Sequence, residues 1–318
     1  MVGTGSIGRR HMASLRGLVP DVQFDVLREA GRGTDTSALG EVEVVTSLEL
    51  ALERRPDLMV IASPSSMHLR PLLAAIESGT PFYAEKPVVS TLEELAVLEA
   101  RVERGGLPPN MVGCNLRSLP SLMALKSLLD EGRLGRLARA DFEAGQWLPD
   151  WRPAQDYRQG YSAKRALGGG VLLDLIHEID AAQWLLGSFE HVSGFATRAS
   201  SLEIDSDDSA SLLMARAGGP IATVRIDYVS RRPIRRYTLV GDLGTATWDL
   251  RAATLTLSNA DVVQALPLAA DAFDVPATYP AAMREMLAAI REDRPSTQPL
   301  EEGLRALATA LRAQRIES

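Results

Sequence analysis

Gly3-Thr4-Gly5-Ser6-Ile7-Gly8 spells Gly-x-Gly-x-x-Gly at the head of a 318-residue chain. Glycines at this spacing permit a tight turn and let backbone approach a pyrophosphate, while the helix that follows offers unpaired N–H groups. Alone the match is weak, because glycine-rich turns also arise by chance. It gains force where it opens a helix and heads an alternating α/β pattern. Here helix-period segments at 6–18, 47–54, 69–78 and 92–104 alternate with short apolar runs at 23–27, 57–62, 81–84 and 111–114. Ser47 and Thr91 stand as N-caps of two of these helices. The run 57–62 suits a strand buried on both faces. Alternation of this kind predicts a parallel sheet. Only Met1 and Val2 precede Gly3, where strands usually run about five residues, so either the sequence starts too late or the first, central strand is unusually short.

The second half reads differently. A helix over 119–131 leads to a strand at 138–147, a polar aromatic loop at 148–165 and an apolar helix over 171–186. Strand pairs then flank turn residues: 209–216 and 221–229 around Gly218-Gly219-Pro220, 237–240 and 245–249 around Gly241 to Gly244, and 254–257 and 262–266 around Asn259-Ala260-Asp261. Successive hairpins predict a largely antiparallel sheet. Helices at 280–292 and 301–315 close the chain. The expectation is an α/β N-terminal Rossmann domain (1–118) plus a C-terminal α+β domain (119–318) with a large, mostly antiparallel sheet, for substrate binding and oligomerisation.

Composition removes several function classes. A formal net charge of -7 argues against nucleic acid as a partner. No apolar run approaches the roughly 20 residues of a membrane span. No basic segment followed by an apolar stretch marks a signal peptide. The single cysteine, Cys114, excludes an intrachain disulfide and fits a reducing compartment, so the expected location is the cytoplasm. Four histidines are scattered, and neither a His-Glu-x-x-His pattern nor a cysteine pair provides a metal site. No serine sits in a Gly-x-Ser-x-Gly elbow.

The glycine segment implies NAD(P) as cofactor, held by Gly3, Gly5, Ser6, Ile7 and Gly8. NAD-preferring folds carry an acidic residue about 20 positions further on. Here Leu27-Arg28 falls there. A guanidinium at Arg28, assisted by Arg32, could pair with the 2′-phosphate of NADP, which is slightly favoured. A solvated surface arginine is the alternative, and Glu29 keeps NAD open.

Two segments have chemistry to offer. Lys86, in Ala84-Glu85-Lys86-Pro87, follows a predicted strand, where ligands of such sheets sit. Its ammonium can stabilise a forming alkoxide, although an isolated lysine is more often a surface group. In the stretch from Gly168 to Asp180, Asp174, His177 and Asp180 are spaced to share a helix face. A histidine beside a carboxylate suits proton transfer. A helix-dipole carboxylate and a satisfied, partly buried histidine form the alternative. In the loop before it, Trp151, Tyr157 and Tyr161, with Trp147, Arg152 and Arg158, offer aromatic stacking to a sugar ring and cations to a phosphate or carboxylate. A packed loop is equally compatible. Arg231, Arg232, Arg235 and Arg236 read as a solvated or subunit-facing surface.

Taken together, these landmarks resemble the glucose–fructose oxidoreductase/inositol dehydrogenase (Gfo/Idh/MocA) family along essentially the whole chain. The matching segments are Gly3 to Gly8, Ala62-Ser63-Pro64 with His68, Glu85-Lys86-Pro87, Gly113-Cys114-Asn115-Leu116-Arg117, Gly168 to Asp180, and Val240 to Thr245. The resemblance implies reversible hydride transfer between a nicotinamide and a ring hydroxyl or ketone of a sugar, nucleotide sugar or cyclitol. It implies His177 as base for oxidation, Lys86 as the group polarising the reacting oxygen, and Asp174 as the orienting carboxylate. It puts Ser63, Pro64, His68, Glu85 and Lys86 with the cofactor, and Asn115 and Arg117 with the substrate. Asp174 and His177 are three apart, where the family often has four, which weakens the carry-over for Asp174. A dehydrogenase or reductase of a non-sugar substrate such as a dihydrodiol stays open, as does a non-catalytic NAD(P)-binding regulatory protein; Lys86 and His177 favour the polyol enzyme. An exposed sheet face implies a homodimer or homotetramer.

Overall fold

The computed structural model describes residues 1–28 and 36–316. Glu29 and Arg32 lie outside the described residues. The chain divides into two compact units, Met1–Asn115 with Pro276–Arg305 and Leu116–Val275 with Ala306–Ser318. The expected boundary at 118/119 therefore omits a return of the chain: residues 276–305, expected in the second domain, pack with the first unit.

The chain begins with α1 (Ser6–Leu18), β1 (Asp25–Leu27), β2 (Glu43–Val45), α2 (Leu48–Glu53), β3 (Met59–Ile61), α3 (Leu69–Ser78), β4 (Phe82–Ala84), α4 (Leu92–Glu103) and β5 (Asn110–Val112). Ser47 and Thr91 cap α2 and α4 as their sequence positions require, accepting from the N–H groups of Leu50 and Glu94. The strands pair in parallel as β2-β1 and β3-β4-β5. Val2 joins the two sets, bridging Leu27 on one side and Ile61 on the other. In the place of a central strand Val2 is the bridged residue, held by Val2 N–H to Val60 O at 2.8 Å and Ala62 N–H to Val2 O at 2.7 Å. From Val2 the chain builds outward first through β1 and β2, then in the other direction through β3, β4 and β5. The order reverses between Val2 and β3, the place where doubly wound sheets open a ligand crevice.

Beyond β5 come α5 (Pro120–Asp130), β6 (Leu137–Gly145), α6 (Val171–Asp174), α7 (His177–Leu186), β7 (His191–Thr197), β8 (Ser209–Ala215), β9 (Ile221–Asp227), β10 (Ile234–Gly241), β11 (Gly244–Asp249), β12 (Thr254–Ser258) and β13 (Val263–Ala265). The chain ends with α8 (Val275–Glu292), α9 (Leu300–Leu311) and β14 (Gln314–Ile316). In the first unit, Met283 and Met286 of α8 join the core of Met12, Leu15, Val26, Val60 and Met111. Burial of apolar side chains of this size contributes on the order of 1.5–3 kcal/mol each. Ser296 and Leu300 close the β5 side, donating at 2.6 Å to Asn110 O and Asn110 Oδ1.

The second unit carries a nine-stranded sheet in the order β13-β12-β11-β10-β6-β9-β8-β7-β14. Its pairs are antiparallel except β6 with β9 and β14 with β7. Alternate residues separate the two faces, as strand geometry demands. Phe142, Val224, Leu212, Tyr237 and Trp248 are buried on one face. The other carries Phe195, Leu213 and Ile221, 51%, 52% and 52% exposed, beside the ion pairs Arg225–Glu143 and Arg236–Asp249. Among the described residues no helix is long and apolar enough to cross a membrane.

Candidate active site

The glycine segment lies at the order reversal of the parallel sheet. Gly3 has φ of 92°, and a Cβ there would stand 2.4 Å from Ser63 N, so the first loop presses directly on the loop after β3. A Cβ on Gly8 would meet Gly3 O at 2.3 Å. Gly5 differs: among the described residues nothing lies within 4 Å of its missing Cβ. Gly5 is the N-cap of α1, makes no side-chain cap, and no acidic residue follows in the first turn. The helix therefore presents uncapped N–H groups and its positive dipole end over an open glycine, which is what a dinucleotide pyrophosphate requires. The Ser63 hydroxyl in the adjoining loop is buried and finds no hydrogen-bond partner among the described residues. These features fit the nicotinamide dinucleotide. Arg28 follows β1 directly, and its guanidinium donates to the Thr4 hydroxyl inside the glycine loop.

Three further residues expected to meet ligands are engaged internally in the first unit. His68 is 1% exposed, with Nε2 at 2.8 Å from Ser63 O and Nδ1 at 3.1 Å from Val88 O. Burial lowers its pKa, and the neutral ring has one N–H to give to either carbonyl, so His68 is turned toward the backbone around it. Glu85 is bonded to His11 Nε2 at 2.6 Å and takes the Lys86 N–H on its second oxygen at 3.2 Å. Asn115, expected with the substrate, is 3% exposed and donates to Thr278 Oγ1 at 2.6 Å, tying β5 to α8. Lys86 itself is half-buried at the carboxyl end of β4, and the Lys86–Pro87 peptide is cis.

In the second unit the expected helix over 171–186 is two helices. α6 ends at Asp174, Leu175 has left helical geometry (φ -96°, ψ 30°), and α7 starts at His177. Asp174 and His177 therefore close one helix and open the next, instead of lying on the one continuous helix expected. Each side of the break is held separately. Asp174 Oδ2 accepts from the Ser162 hydroxyl and from Tyr228 OH at 2.8 Å. Burial first, then the Asp174 charge, push the Tyr228 phenol well above its usual pKa, so it remains a donor. On α7, Asp180 forms a two-pronged ion pair with Arg117, at 2.9 and 2.6 Å. Arg117, expected with the substrate, thus directs its fork at a buried carboxylate. Glu178, with no exposed surface, pairs with Arg235 Nε at 2.8 Å and accepts from Tyr237 OH at 3.1 Å. Arg235 therefore belongs to a buried pair rather than to the expected basic surface. His177 is half-buried at the first position of α7.

The aromatic loop is a run of 3-10 turns in which polar tips bond backbone. Tyr161 OH donates to Gly168 O at 2.6 Å, Trp151 Nε1 donates to Gln146 O at 3.2 Å, and Tyr157 OH accepts from Glu203 N at 3.3 Å. The rings of Trp151, Tyr157 and Tyr161 remain half-exposed, so stacking is still available to them. Sequence reasoning missed the clamp on this loop. Asp205 takes the N–H of Arg165 at 2.6 Å, Ser206 donates to Ser162 O at 2.7 Å, and Asp207 Oδ2 takes the N–H of Leu172 at 2.9 Å. The run Asp205-Ser206-Asp207-Asp208 was the available signal, since short acidic and hydroxyl residues favour backbone capping.

Known proteins share this organisation. A sequence profile described as the GFO/IDH/MocA C-terminal domain matches residues 122–247. Another, described as an oxidoreductase family with an NAD-binding Rossmann fold, matches residues 1–111. The chain is 30% identical over 285 residues to inositol 2-dehydrogenase 2 of Saccharopolyspora erythraea, covering 85% of this chain and 78% of that protein. Levoglucosan dehydrogenase in complex with NADH aligns with a TM-score of 0.82 at 19% identity, over 98% of this chain and 94% of that one. UDP-N-acetylglucosamine 3-dehydrogenase from Acidithiobacillus ferrooxidans aligns with a TM-score of 0.76 at 23% identity, over 98% and 94%. At those identities the two structural likenesses speak for the fold alone.

Proposed function

Because this chain belongs to the Gfo/Idh/MocA family of NAD-binding oxidoreductases, we propose that it interconverts a ring hydroxyl and ketone of a sugar, nucleotide sugar or cyclitol. The observation that carries this reading is the open, uncapped start of α1 at the order reversal of the parallel sheet. Sequence relatives named inositol 2-dehydrogenase and levoglucosan dehydrogenase support the substrate class. Gly3, Gly5, Ser6, Ile7 and Gly8 would hold the dinucleotide, with Ser63 and Pro64 as the adjoining wall. Its nicotinamide, when bound, supplies the acceptor for hydride in oxidation and the donor in reduction. His177 removes the hydroxyl proton in oxidation and returns it in reduction. The Lys86 ammonium stabilises negative charge on the same oxygen. Asp174, neutralised in part by two hydroxyl donors, orients this region rather than exchanging a proton.

Both NAD(H) and NADP(H) are accepted on this reading, NADP(H) slightly better, because Arg28 stands where an acidic residue would select NAD. The exposed face of the nine-stranded sheet supports a homodimer or homotetramer, since Phe195, Leu213 and Ile221 lie on adjoining strands of one face. The single cysteine, the buried Cys114, suits a cytoplasmic protein. The test is a panel of polyols and nucleotide sugars with each cofactor, followed by His177→Ala and Lys86→Met on the best substrate. Each variant should lower kcat by about 10²–10⁴-fold with cofactor affinity little changed. The double variant should lose less than the product of the two, because both groups act on one transition state. Near-normal turnover by His177→Ala would remove histidine as the base. Light scattering that returned a monomer at micromolar concentration would remove the assembly.

A further inference from the structure

We propose that His11 and Glu85 are positioning residues that hold Lys86 in its working place. The inference rests on the reading of Lys86 given above and adds two residues to it. His11 lies on α1, three residues beyond Gly8, with no exposed surface. Its Nε2 stands 2.6 Å from Glu85 Oε1, across 74 residues of sequence. The second Glu85 oxygen accepts the N–H of Lys86 at 3.2 Å. Glu85 is gripped from both ends: its own N–H donates to Ile61 O of β3 at 2.8 Å, and its carboxylate is held from α1. The imidazole is flanked by Tyr83 and Tyr279, with ring centroids 4.8 and 5.9 Å away. Gly113 on the neighbouring chain segment leaves the room, because a Cβ there would lie 3.0 Å from both Glu85 Oε1 and Tyr83 Oη.

This cluster is a poor device for stability. His11 Nδ1 and Tyr83 Oη are buried without hydrogen-bond partners among the described residues, a penalty that an apolar trio of the same shape would not incur. Burial and the nearby Glu85 charge also push the Tyr83 phenol well above its usual pKa, so it stays protonated. What the pair achieves is registration. The helix that the glycine loop opens is bonded to the carboxylate that fixes the backbone of Lys86. Small misplacements of a reacting group cost large factors in rate, about 100-fold for an ångström.

The chain has three lysines, Lys86, Lys126 and Lys164, so ¹³C-dimethylated enzyme gives few lysine signals, and Lys86→Met assigns the one of interest. In the cofactor-free protein, His11→Phe should move the Lys86 resonance and leave the Lys126 and Lys164 resonances in place. His11→Gln, whose amide can still donate to Glu85, should restore it. In kinetics, His11→Phe should lower kcat about 10–100-fold with the Kd for reduced cofactor within about twofold, and should add nothing further in a Lys86→Met background. An unmoved Lys86 resonance, or a His11→Phe loss that multiplies in full with that of Lys86→Met, overturns the proposal. Normal turnover by Lys86→Met is a different failure, which removes Lys86 from the chemistry. Should His11→Phe not fold, His11→Asn against His11→Gln carries the test. Asparagine stops one methylene short of the carboxylate, so equal resonances and equal turnover for that pair overturn the proposal.

Discussion

The molecule contains two glycine-rich turns that each enter a helix, and they do opposite things. Before α1, Gly3 to Gly8 leave the helix start open: no side chain caps it, and the residue beside the loop is the cation Arg28. Before α6, Gly168 to Gly170 lead to a helix start that the protein fills itself. Asp207 accepts the N–H of Val171 on its main-chain oxygen and the N–H of Leu172 on its carboxylate, both at 2.9 Å. Gly170, with φ of 119°, is required because a Cβ would stand 2.6 Å from Asp207 Oδ1. A glycine-rich entry is therefore not an anion site in itself. It becomes one where the N–H groups are left without an internal acceptor, and a rigid support where an internal carboxylate supplies the anion.

The largest expected effect comes from converting the first turn into the second kind. Gly5 has an extended backbone of ordinary φ (-63°) and open space around it, so Gly5→Asp should fold without strain. As an N-cap it should alter stability by only a few tenths of a kcal/mol. Its carboxylate would stand where the pyrophosphate belongs, and cofactor affinity should fall by about 100-fold or more. Fluorescence titration with NADH and NADPH reads the affinity, and thermal unfolding reads the fold. Retained affinity would mean that the α1 start is not the pyrophosphate site.

The reverse operation is smaller. Asp207→Ala leaves the start of α6 without its anion and should cost about 1.5–3 kcal/mol, the range for a hydrogen bond to a charged group. For a chain of this size the melting temperature should drop by several degrees. Dinucleotide affinity should not follow it, because Asp207 and the glycine loop belong to different units. A parallel loss of affinity and stability would break the distinction between the two turns.

How far the sequence reveals these differences depends on the distance over which the deciding partner acts. α1, α3 and the caps Ser47 and Thr91 were legible, because periodicity and capping are local. The break at Leu175 was not. Residues 171–176 are as apolar as a continuous helix would be, and the groups that hold Asp174 come from Ser162 and Tyr228, 12 and 54 residues away. β2 has three residues, too few to display a period, and the side-chain pattern of β7 is broken in sequence by Gly194, where a Cβ would meet Ser211 O at 2.3 Å. Among candidate ligand residues, His68, Asn115 and Arg117 look like free polar groups in sequence. Each is matched by a buried partner that only the fold reveals.

The smallest expected effect sharpens the electrostatic side of the comparison. The second turn faces a carboxylate and the first faces a guanidinium, and the two signs follow from what each turn must accommodate. Arg28 emerges at the carboxyl end of β1, the position from which dinucleotide folds read the ribose 2′ substituent. Its backbone N–H is fixed to Val45 O at 2.9 Å, and one guanidinium nitrogen reaches Thr4 in the glycine loop. The Nε of the same group is buried without a hydrogen-bond partner among the described residues. A 2′-phosphate would give that cation an opposite charge, whereas a 2′-hydroxyl gives it only a neutral acceptor. Arg28→Ala should thus weaken NADPH by about tenfold, roughly 1.4 kcal/mol, and NADH by no more than about twofold. Parallel fluorescence titrations of the two reduced cofactors measure the ratio, which cancels any general disturbance of the loop. A clear preference for NADH that is the same in wild type and Arg28→Ala would remove the residue from cofactor selection. The cation beside the open turn would then serve only to hold Thr4.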